Sequence, residues 1–238
     1  MRINKYISSS GLCSRREADR LICEGKVLIN GRVAKNGDQV SVNDRVTVNK
    51  APIIPSSEKV YLAYNKPRGL VCTSEKREKN NIMDAIDYPK RITYAGRLDK
   101  DSEGLILLTD DGDLIDALMR ARNEHEKEYS VTVDKAITAE FIKKMRQGIY
   151  LKELERETRP CKVKKTGDKS FDIILTQGLN RQIRRMCETL GYRVKKLKRI
   201  RICNILLNDL KTGRYRELYS TELKELMTIL DITPQNQR

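Results

Sequence analysis

The chain is poor in residue types on which many enzyme classes depend. Its 238 residues include no tryptophan, 5% aromatic residues and a single histidine, His125. A Ser-His-Asp or Cys-His site would have to use His125, which lies in the charged segment NEHEKEY and is expected to be solvated. We expect neither a zinc site nor a disulfide framework, because the six cysteines are widely scattered without a C-x-x-C pair: Cys13, Cys23, Cys72, Cys161, Cys187 and Cys203.

Long apolar runs are also missing. No stretch of the chain reaches the about 18 consecutive apolar residues typical of a membrane-spanning helix. The first residues, MRINKYISSSG, lack the apolar core of a secretion signal. We therefore expect a cytoplasmic protein. Separately, we expect that it has no membrane partner and acts as a monomer.

Positive charge is what the chain has in excess. Lys and Arg number 48 against 33 Asp and Glu, which gives a formal net charge of +15. A balance this positive attracts polyanions, so the natural partner is a nucleic acid or an anionic membrane surface. A basic surface that serves solubility alone explains the same composition at this point.

The first fifty residues have a pattern of their own. Apolar residues at helical spacing predict two short helices, and the second begins with the capping-box sequence that runs from Ser14 to Glu17. The pair Asn30-Gly31 between two β-prone segments predicts a hairpin, and DRVTVNK alternates as a strand does. Together these features predict a small helix-helix-hairpin domain.

The second of these helices carries Arg15, Arg16 and Arg20 near one face, opposite its apolar stripe. Such arginines could contact RNA or form an ordinary solvated helix face. The segment SGLCSRREADRLICEGKVLINGRVAKNGDQVSVNDRV resembles the S-four type of RNA-binding domain. The resemblance implies that the arginine-bearing helix contacts structured RNA through its phosphates and shape, and it implies nothing about chemistry.

The segment NKAPIIPSSE, rich in proline and serine, predicts a linker between domains. We expect the RNA-binding domain at residues 1–50, the linker at 51–58, a larger domain at 59–232 and a short tail at 233–238.

Beyond the linker, short β-rich segments dominate and are not regularly separated by helical ones. The β-rich segments are KVYLAYNKPRG, GLILLT, KEYSVTV and SFDIILTQG. The helical segments are DLIDALMR, AEFIKKM, NRQIRRMCETLG and TELKELMTIL. This order predicts an α+β fold built on a mixed, mainly antiparallel sheet with flanking helices, and it argues against a doubly wound sheet.

Residues 94–114, YAGRLDKDSEGLILLTDDGDL, gather six acidic side chains in an otherwise basic chain. The later three, Asp110, Asp111 and Asp113, are explained by a turn and the start of a helix. Asp99 differs, because it lies among cations in a loop ahead of a strand that is expected to be buried. An aspartate in such a place stays ionised and oriented, which suits a nucleophile or a general base, although a structural ion pair explains the same pattern.

Two other segments carry candidate residues. In QGLNRQIRRMCETLGY the apolar stripe leaves Arg181, Arg184 and Arg185 to the other helix faces, where they could contact phosphate. In EKEYSVTV, Lys127 and Tyr129 share one strand face with two valines. A tyrosine in such a row is ordinarily a core residue, but its ring could also stack on a base.

In order along the chain, NKPRG, GRLDKDSEGLILLTDDGDL, KEYSVTV and GLNRQIRRMCETLGY followed by LKR resemble the motifs of the ribosomal pseudouridine synthases that carry an N-terminal S-four domain. The likeness covers nearly the whole chain and is greatest to synthases of the large ribosomal subunit. It implies an isomerase that converts a specific uridine of large-subunit (23S) ribosomal RNA to pseudouridine without a metal, a cofactor or an energy source.

Three alternatives to that function remain at this point. The enzyme could act on another RNA, such as transfer RNA. The chain could be a non-catalytic RNA-binding factor of ribosome assembly, or a glycosidase-like hydrolase that releases the base.

The same resemblance implies roles for individual residues. Asp99 matches the essential aspartate of the family, and Arg184 matches the arginine that pairs with it. Tyr129 matches the ring that stacks on the target uracil, and Leu197 matches the apolar residue on the other side of the pocket. Arg97 and Lys127 also match motif positions, where they either contact the substrate or support the loop. Arg181 and Arg185, on the basic flank of their helix, are expected to contact the surrounding RNA.

Overall fold

The structure, a computed structural model, describes residues 1–56, 58–75, 77–120 and 124–232. The tail predicted at 233–238 and Ser57 of the predicted linker lie outside the described residues. The chain divides into two units. The first comprises Met1–Val60, Tyr88–Thr93 and Asp110–Gly112, and the second comprises Tyr61–Asp87, Tyr94–Thr109 and the chain from Asp113 onward.

The first unit packs two helices against a small antiparallel sheet. The helices are α1 (Ile3–Ser9) and α2 (Arg15–Cys23). The strands, in the spatial order β2-β1-β3-β4, are β1 (Val27–Ile29), β2 (Arg32–Val33), β3 (Val46–Val48) and β4 (Ala51–Ile53). The helix-helix-hairpin arrangement predicted from the sequence is therefore confirmed.

Local sequence signals explain how this unit folds. The Ser14 hydroxyl accepts a hydrogen bond from the Glu17 N–H at 3.1 Å, which caps α2. Asn30 and Gly31 have φ angles of 50° and 85°, as a tight hairpin turn between β1 and β2 requires. Residues 51–53, the start of the predicted linker, form β4 and pair with β3. The small sheet thus extends beyond the domain limit expected at residue 50.

The second unit is built on a nine-stranded sheet, whose main path has the order β11-β12-β8-β13-β7-β5-β15, with β14 paired to β13 and β6 to β7. A separate pair is formed by β9 (Tyr150–Leu151) and β10 (Arg156–Glu157). The strands of the large sheet are β5 (Tyr61–Lys66), β6 (Thr93–Ala95), β7 (Glu103–Thr109), β8 (Lys127–Val133), β11 (Lys162–Gly167), β12 (Ser170–Leu175), β13 (Val194–Ile202), β14 (Ile205–Leu206) and β15 (Tyr215–Glu217).

The large sheet is mixed and mainly antiparallel. The pairs β5–β7, β5–β15, β8–β12, β8–β13, β11–β12 and β13–β14 are antiparallel. The pair β7–β13 is parallel and places Glu103 beside Lys198 and Gly104 beside Arg199. The α+β fold class predicted from the sequence is confirmed.

Helices flank this sheet over two hydrophobic clusters. The helices are α3 (Gly112–Met119), α4 (Ala139–Gln147), α5 (Gln182–Thr189) and α6 (Ser220–Ile229), and a short 3-10 helix spans Lys152–Leu154. One cluster unites α4 and α5 with β8, β12 and β13, and the other unites α3 and α6 with β5 and β7. Among the described residues, no helix has both the length and the apolar character needed to cross a membrane.

Candidate active site

The loop that joins β6 to β7 carries Asp99. This loop enters β7 at Glu103, and the Ser102 N–H donates to the Asp99 carbonyl oxygen at 3.0 Å, which closes a turn. The Asp99 side chain is half-buried, and β7 is buried along nearly its whole length. The sequence correctly predicted an aspartate in a loop ahead of a buried strand.

Donors from distant parts of the chain hold the main chain of this loop. Three successive carbonyl oxygens accept hydrogen bonds. The oxygen of Lys100 accepts from the Gly69 N–H at 2.8 Å, and that of Asp101 accepts from Arg184 Nη2 at 3.0 Å. The oxygen of Ser102 accepts from Lys66 Nζ at 2.9 Å. A main chain fixed at consecutive oxygens cannot shift one residue without breaking several bonds. The loop is therefore preorganised, which is what a reacting group needs.

Lys66, at the end of β5, is completely buried beneath this loop. Its ammonium also donates to the Pro67 carbonyl oxygen at 2.9 Å. Burial lowers the pKa of Lys66, an effect that the charges of Asp99 and Glu103 partly oppose. Sequence reasoning missed this residue, because the Ser102 carbonyl oxygen that it binds lies far away in the sequence.

Arg184, on α5, is also buried, with 7% of its surface exposed. Besides the Asp101 carbonyl oxygen, Nη2 lies 3.4 Å from Ser102 Oγ. Burial lowers the pKa of Arg184, and the charges of Asp101 and Asp99 oppose that shift. Arg184 is therefore on a helix face other than the apolar stripe, as the pattern predicts, but it is buried against the loop, which supplies acceptors that the pattern cannot reveal.

The ion pair expected between Arg184 and Asp99 does not form. Among the described residues no hydrogen bond or ion pair joins these two groups, and the guanidinium instead binds main-chain and hydroxyl oxygens just after Asp99. Asp99 nevertheless lies near enough for its charge to act on the guanidinium. Arg184 therefore acts on the position of the loop as well as on its electrostatics.

Tyr129 and Leu197 lie on one face of the sheet. In the antiparallel pair β8–β13, Val131 is opposite Leu197 and Tyr129 is opposite Arg199. Leu197 is buried, and the half-buried Tyr129 packs against the same hydrophobic cluster. Because paired residues of antiparallel strands project from the same face, Tyr129 and Leu197 can line one pocket, as the resemblance implies.

Lys127 shares this face with Tyr129 but is turned toward the interior. Its Nζ lies 3.4 Å from the His125 carbonyl oxygen. Burial lowers the pKa of Lys127, and the charge of Arg199 lowers it further.

The expectation that His125 is solvated is wrong, since its ring is buried with Nε2 3.2 Å from the Ala117 carbonyl oxygen at the end of α3.

The other arginines of the candidate site differ in availability. Arg97 is exposed beside Leu98. Arg181 precedes α5 with a φ of 51° and comes within 4.0 Å of an Asp101 carboxylate oxygen. Arg185 binds both oxygens of Asn180 and forms an ion pair with Glu153, so its guanidinium is engaged within the protein.

In the first unit, Arg15, Arg16 and Arg20 are all exposed on α2, whereas Ala18 and Ile22 of the same helix are buried. The predicted face opposite the apolar stripe is therefore present. Arg20 forms ion pairs with two glutamates, Glu17 on its own helix and Glu24 at the helix end. Such exposed pairs are weak, so a phosphate could replace either carboxylate as the partner of Arg20.

The arrangement as a whole suits nucleophilic or general-base chemistry by a carboxylate. Asp99 lies on a preorganised loop whose carbonyl oxygens accept hydrogen bonds from two buried basic side chains, Lys66 and Arg184. Among the described residues, no cluster of His, Cys, Asp and Glu side chains is suited to hold a metal ion. The groups assembled at this loop are a carboxylate and basic residues, and Tyr129 is on β8, the strand on the other side of β13 from β7.

Comparison with known proteins places these features in one family. Residues 60–189 match the family described as RNA pseudouridylate synthase, and residues 1–46 match the S4 domain. The first match contains Asp99, Tyr129 and Arg184, and the second contains the arginines of α2. Leu197 lies beyond the matched segment.

Individual relatives support the same assignment. The dual-specificity RNA pseudouridine synthase RluF of Escherichia coli (strain K12) is 52% identical over 97% of this chain and 80% of its own length. The ribosomal large subunit pseudouridine synthase B of Bacillus subtilis is 36% identical over 97% of both chains. A solved pseudouridylate synthase is similar with a TM-score of 0.70 and 31% identity, covering 95% of this chain and 99% of that one. This chain therefore belongs to the RNA pseudouridine synthases that carry an N-terminal S4 domain.

Proposed function

We propose that this pseudouridine synthase converts a specific uridine of large-subunit (23S) ribosomal RNA to pseudouridine, with Asp99 as the essential group and without a cofactor. The observation that carries the proposal is the loop of Asp99, which distant donors fix at three successive carbonyl oxygens. A fold that holds one carboxylate so firmly provides what a single-residue nucleophile or base requires.

The reaction is an isomerisation, so its atoms and electrons balance without a co-reactant. The bond from N1 of uracil to C1′ of the ribose breaks, the base turns, and C5 forms a new bond to C1′. The proton lost from C5 is balanced by the one that N1 gains. Asp99 either attacks C1′ or assists removal of a ribose proton in a glycal route, and both roles need an ionised carboxylate.

The remaining candidate residues divide the tasks of binding and orientation. Tyr129 stacks on the uracil and helps to remove the C5 proton, while Leu197 covers the other side of the base. Arg97, which is exposed, contacts the substrate, whereas Lys127 supports the strand of Tyr129 from within the protein. The target nucleotide must leave its stack, at a cost of about a few kcal/mol, which binding of the surrounding RNA by basic residues offsets.

Ribosomal RNA is the proposed substrate because a relative 36% identical to this chain is a ribosomal large subunit pseudouridine synthase. Transfer RNA is the second candidate, since a relative with 52% identity is described as having dual specificity toward RNA. We place the reaction in the cytoplasm, where these RNAs are available. Modification maps of both RNA classes, from cells with and without the gene, identify the uridine.

The test is tritium release from C5 of labelled uridine in large-subunit RNA. We expect release with the RNA chain intact and its mass unchanged, whereas a hydrolase would leave abasic RNA and a binding factor would release no tritium. Asp99→Asn should abolish release while keeping RNA affinity, because the carboxylate is lost and the basic surface stays.

The matched control is Asp168→Asn, which makes the same change at an exposed position between β11 and β12. This variant should release tritium at the normal rate. Asp99→Asn activity within about tenfold of the unmodified enzyme, equivalent to about 1.4 kcal/mol in the barrier, would refute the assignment of Asp99.

A further inference from the structure

Arg199, on β13, is a buried cation that takes no part in the proposed reaction steps. Its surface is 2% exposed. Its Nε donates to the Leu105 carbonyl oxygen at 2.6 Å, and its Nη1 lies 3.5 Å from the Arg97 carbonyl oxygen. Arg97 precedes Asp99 and Leu105 follows it, so one guanidinium connects the main chain on both sides of the loop.

The position of Arg199 in the sheet also connects the loop to the strand of Tyr129. Arg199 is the register partner of Tyr129 on one side and of Gly104 on the other. Its β13 backbone therefore lies between β8, which carries Tyr129, and β7, whose first residues follow the loop. Residues opposite each other on antiparallel strands project from one face, so the guanidinium and the ring share a face.

An independent observation shows that this junction is unusually close. A Cβ atom at Gly104 would lie 2.3 Å from the Arg199 carbonyl oxygen and 2.7 Å from its nitrogen. Gly104 also has a φ of +107°, which other residues rarely adopt. The spacing of β7 and β13 at Arg199 therefore depends on glycine, and the loop of Asp99 ends at this fixed point.

The guanidinium is costly to bury. Arg199 Nη2 is inaccessible to solvent and has no hydrogen-bond partner among the described residues. An apolar side chain would fill the same space without leaving a donor unsatisfied. A buried guanidinium with one unsatisfied donor is explained if the fold needs the hydrogen bonds that Arg199 makes to the Leu105 and Arg97 carbonyl oxygens.

We propose that Arg199 is a positioning residue, which holds the loop of Asp99 at a fixed distance from Tyr129 by bonding to the main chain on both sides of that loop. Arg199 does not react with the RNA. It sets the geometry in which the carboxylate and the ring face the same nucleotide, so its loss lowers turnover rather than affinity. The inference rests on the proposed role of Asp99.

The experiment compares Arg199→Met and Arg199→Lys in the full chain, with single-turnover rates at saturating RNA and separate measurement of the dissociation constant. We expect Arg199→Met to lower the rate about 100-fold while the dissociation constant stays within about threefold. Arg199→Lys should recover part of the rate, to about tenfold below normal, because an ammonium can reach one carbonyl oxygen but cannot bridge two. If Arg199→Met fails to fold by circular dichroism, Arg199→Lys decides alone.

A stability control separates positioning from mere packing. Phe171→Leu, in the cluster that includes β12, lowers the melting temperature without touching the loop. It should keep its turnover within about threefold of normal at a temperature where it is folded. Two results would overturn the inference. One is a loss of turnover that follows the loss of melting temperature equally in Phe171→Leu and in the Arg199 variants. The other is normal turnover of Arg199→Lys.

Asp99→Asn, measured in parallel, distinguishes the two ways of failing. An inactive Asp99→Asn together with normally active Arg199 variants overturns the role of Arg199 alone. An active Asp99→Asn overturns the proposed role of Asp99, and the positioning role of Arg199 with it.

Discussion

At the scale of the residue, we propose that Arg184 acts on Asp99 through the main chain. Its bonds to the Asp101 carbonyl oxygen and to Ser102 Oγ fix the loop, and its charge lies close to the carboxylate. Arg184→Ala should therefore lower turnover about 100-fold, or about 2.7 kcal/mol in the barrier. Arg184→Lys is the matched control for charge and should lose less, and a normal rate for Arg184→Ala would show that Arg184 does not assist Asp99.

The single histidine should make the stability of the protein depend on pH. Burial lowers the pKa of His125 from its ordinary value of about 6.5, the bond to the Ala117 carbonyl oxygen opposes this shift, and the charge of Lys127 adds to it. Near and below pH ~6.5 the unfolded chain binds a proton that the folded protein excludes. The free energy of unfolding should therefore fall as the pH drops from about 7 toward the lowered pKa.

Denaturant unfolding at a series of pH values measures this effect, with His125→Gln as the control. Glutamine can still donate to the Ala117 carbonyl oxygen but does not titrate. The difference in unfolding free energy between the two proteins should change across this interval and level off above about pH 7.5. A constant difference would mean that His125 has the same pKa in the folded and unfolded chain.

Individual residues also show how far the sequence could predict the candidate site. Asp99 lies where the pattern placed it, because a charged loop before an apolar strand is a local signal. Lys66 and Arg199 could not be predicted in the same way. Their burial depends on carbonyl oxygens that lie far away in the sequence and are brought near only by the folded sheet.

At the scale of the element, the parallel pair β7–β13 depends on Gly104. Gly104→Ala should lower the free energy of unfolding by about 3 kcal/mol or more, because it combines an unfavourable φ with a backbone clash. Turnover should fall as well, since the loop of Asp99 leads into this strand. Chemical denaturation and the tritium assay measure the two effects.

Gly213 offers a matched control for that change. Its φ of +76° is also positive, but a Cβ there would have no atom within 4 Å. Gly213→Ala should therefore cost only the backbone strain, about 1 to 2 kcal/mol, and leave turnover unchanged. Equal costs at the two positions would show that the close approach of β7 and β13 contributes nothing.

Elements with local signals were predictable, and those defined by distant pairing were not. The cap of α2 at Ser14 and the Asn30-Gly31 turn depend on neighbouring residues and were predicted correctly. Strand β4 was assigned to a linker, because API, with its proline, resembles a connecting segment until β3 is available to pair with it. A strand of three residues is too short to show a pattern of its own.

At the scale of the whole molecule, we expect the first unit to supply affinity and the second to supply chemistry. Asp99, Tyr129, Arg184 and Leu197 all belong to the second unit. Replacing Arg15, Arg16 and Arg20 with glutamine should weaken RNA binding and reduce its salt dependence, by about 0.7 to 0.9 in the log-log slope for each phosphate that is no longer bound. Turnover at saturating RNA should stay near normal.

Substitution is a sharper test than deletion here. Removing residues 1–50 would leave β4 without its partner β3, and would separate Tyr88–Thr93 and Asp110–Gly112 from the unit to which they belong. Glutamine at three other exposed cations of this unit, Lys35, Arg45 and Lys50, gives the same change in charge. If this control loses as much salt dependence of RNA binding as the α2 variant, α2 has no particular part in binding RNA. If the α2 variant loses turnover at saturating RNA, the first unit contributes to catalysis.

The way in which the Asp99 loop is held bears on how this enzyme can change during evolution. Three successive residues, Lys100, Asp101 and Ser102, accept their structural bonds through carbonyl oxygens, which every amino acid possesses. Side chains at exposed positions of the loop, such as Lys100 and Asp101, are therefore free to diverge as new RNA contexts are selected. The donor side chains Lys66 and Arg184 cannot be replaced in the same way. We therefore expect substitutions that alter substrate preference and substitutions that abolish catalysis to occur at different sites in the chain.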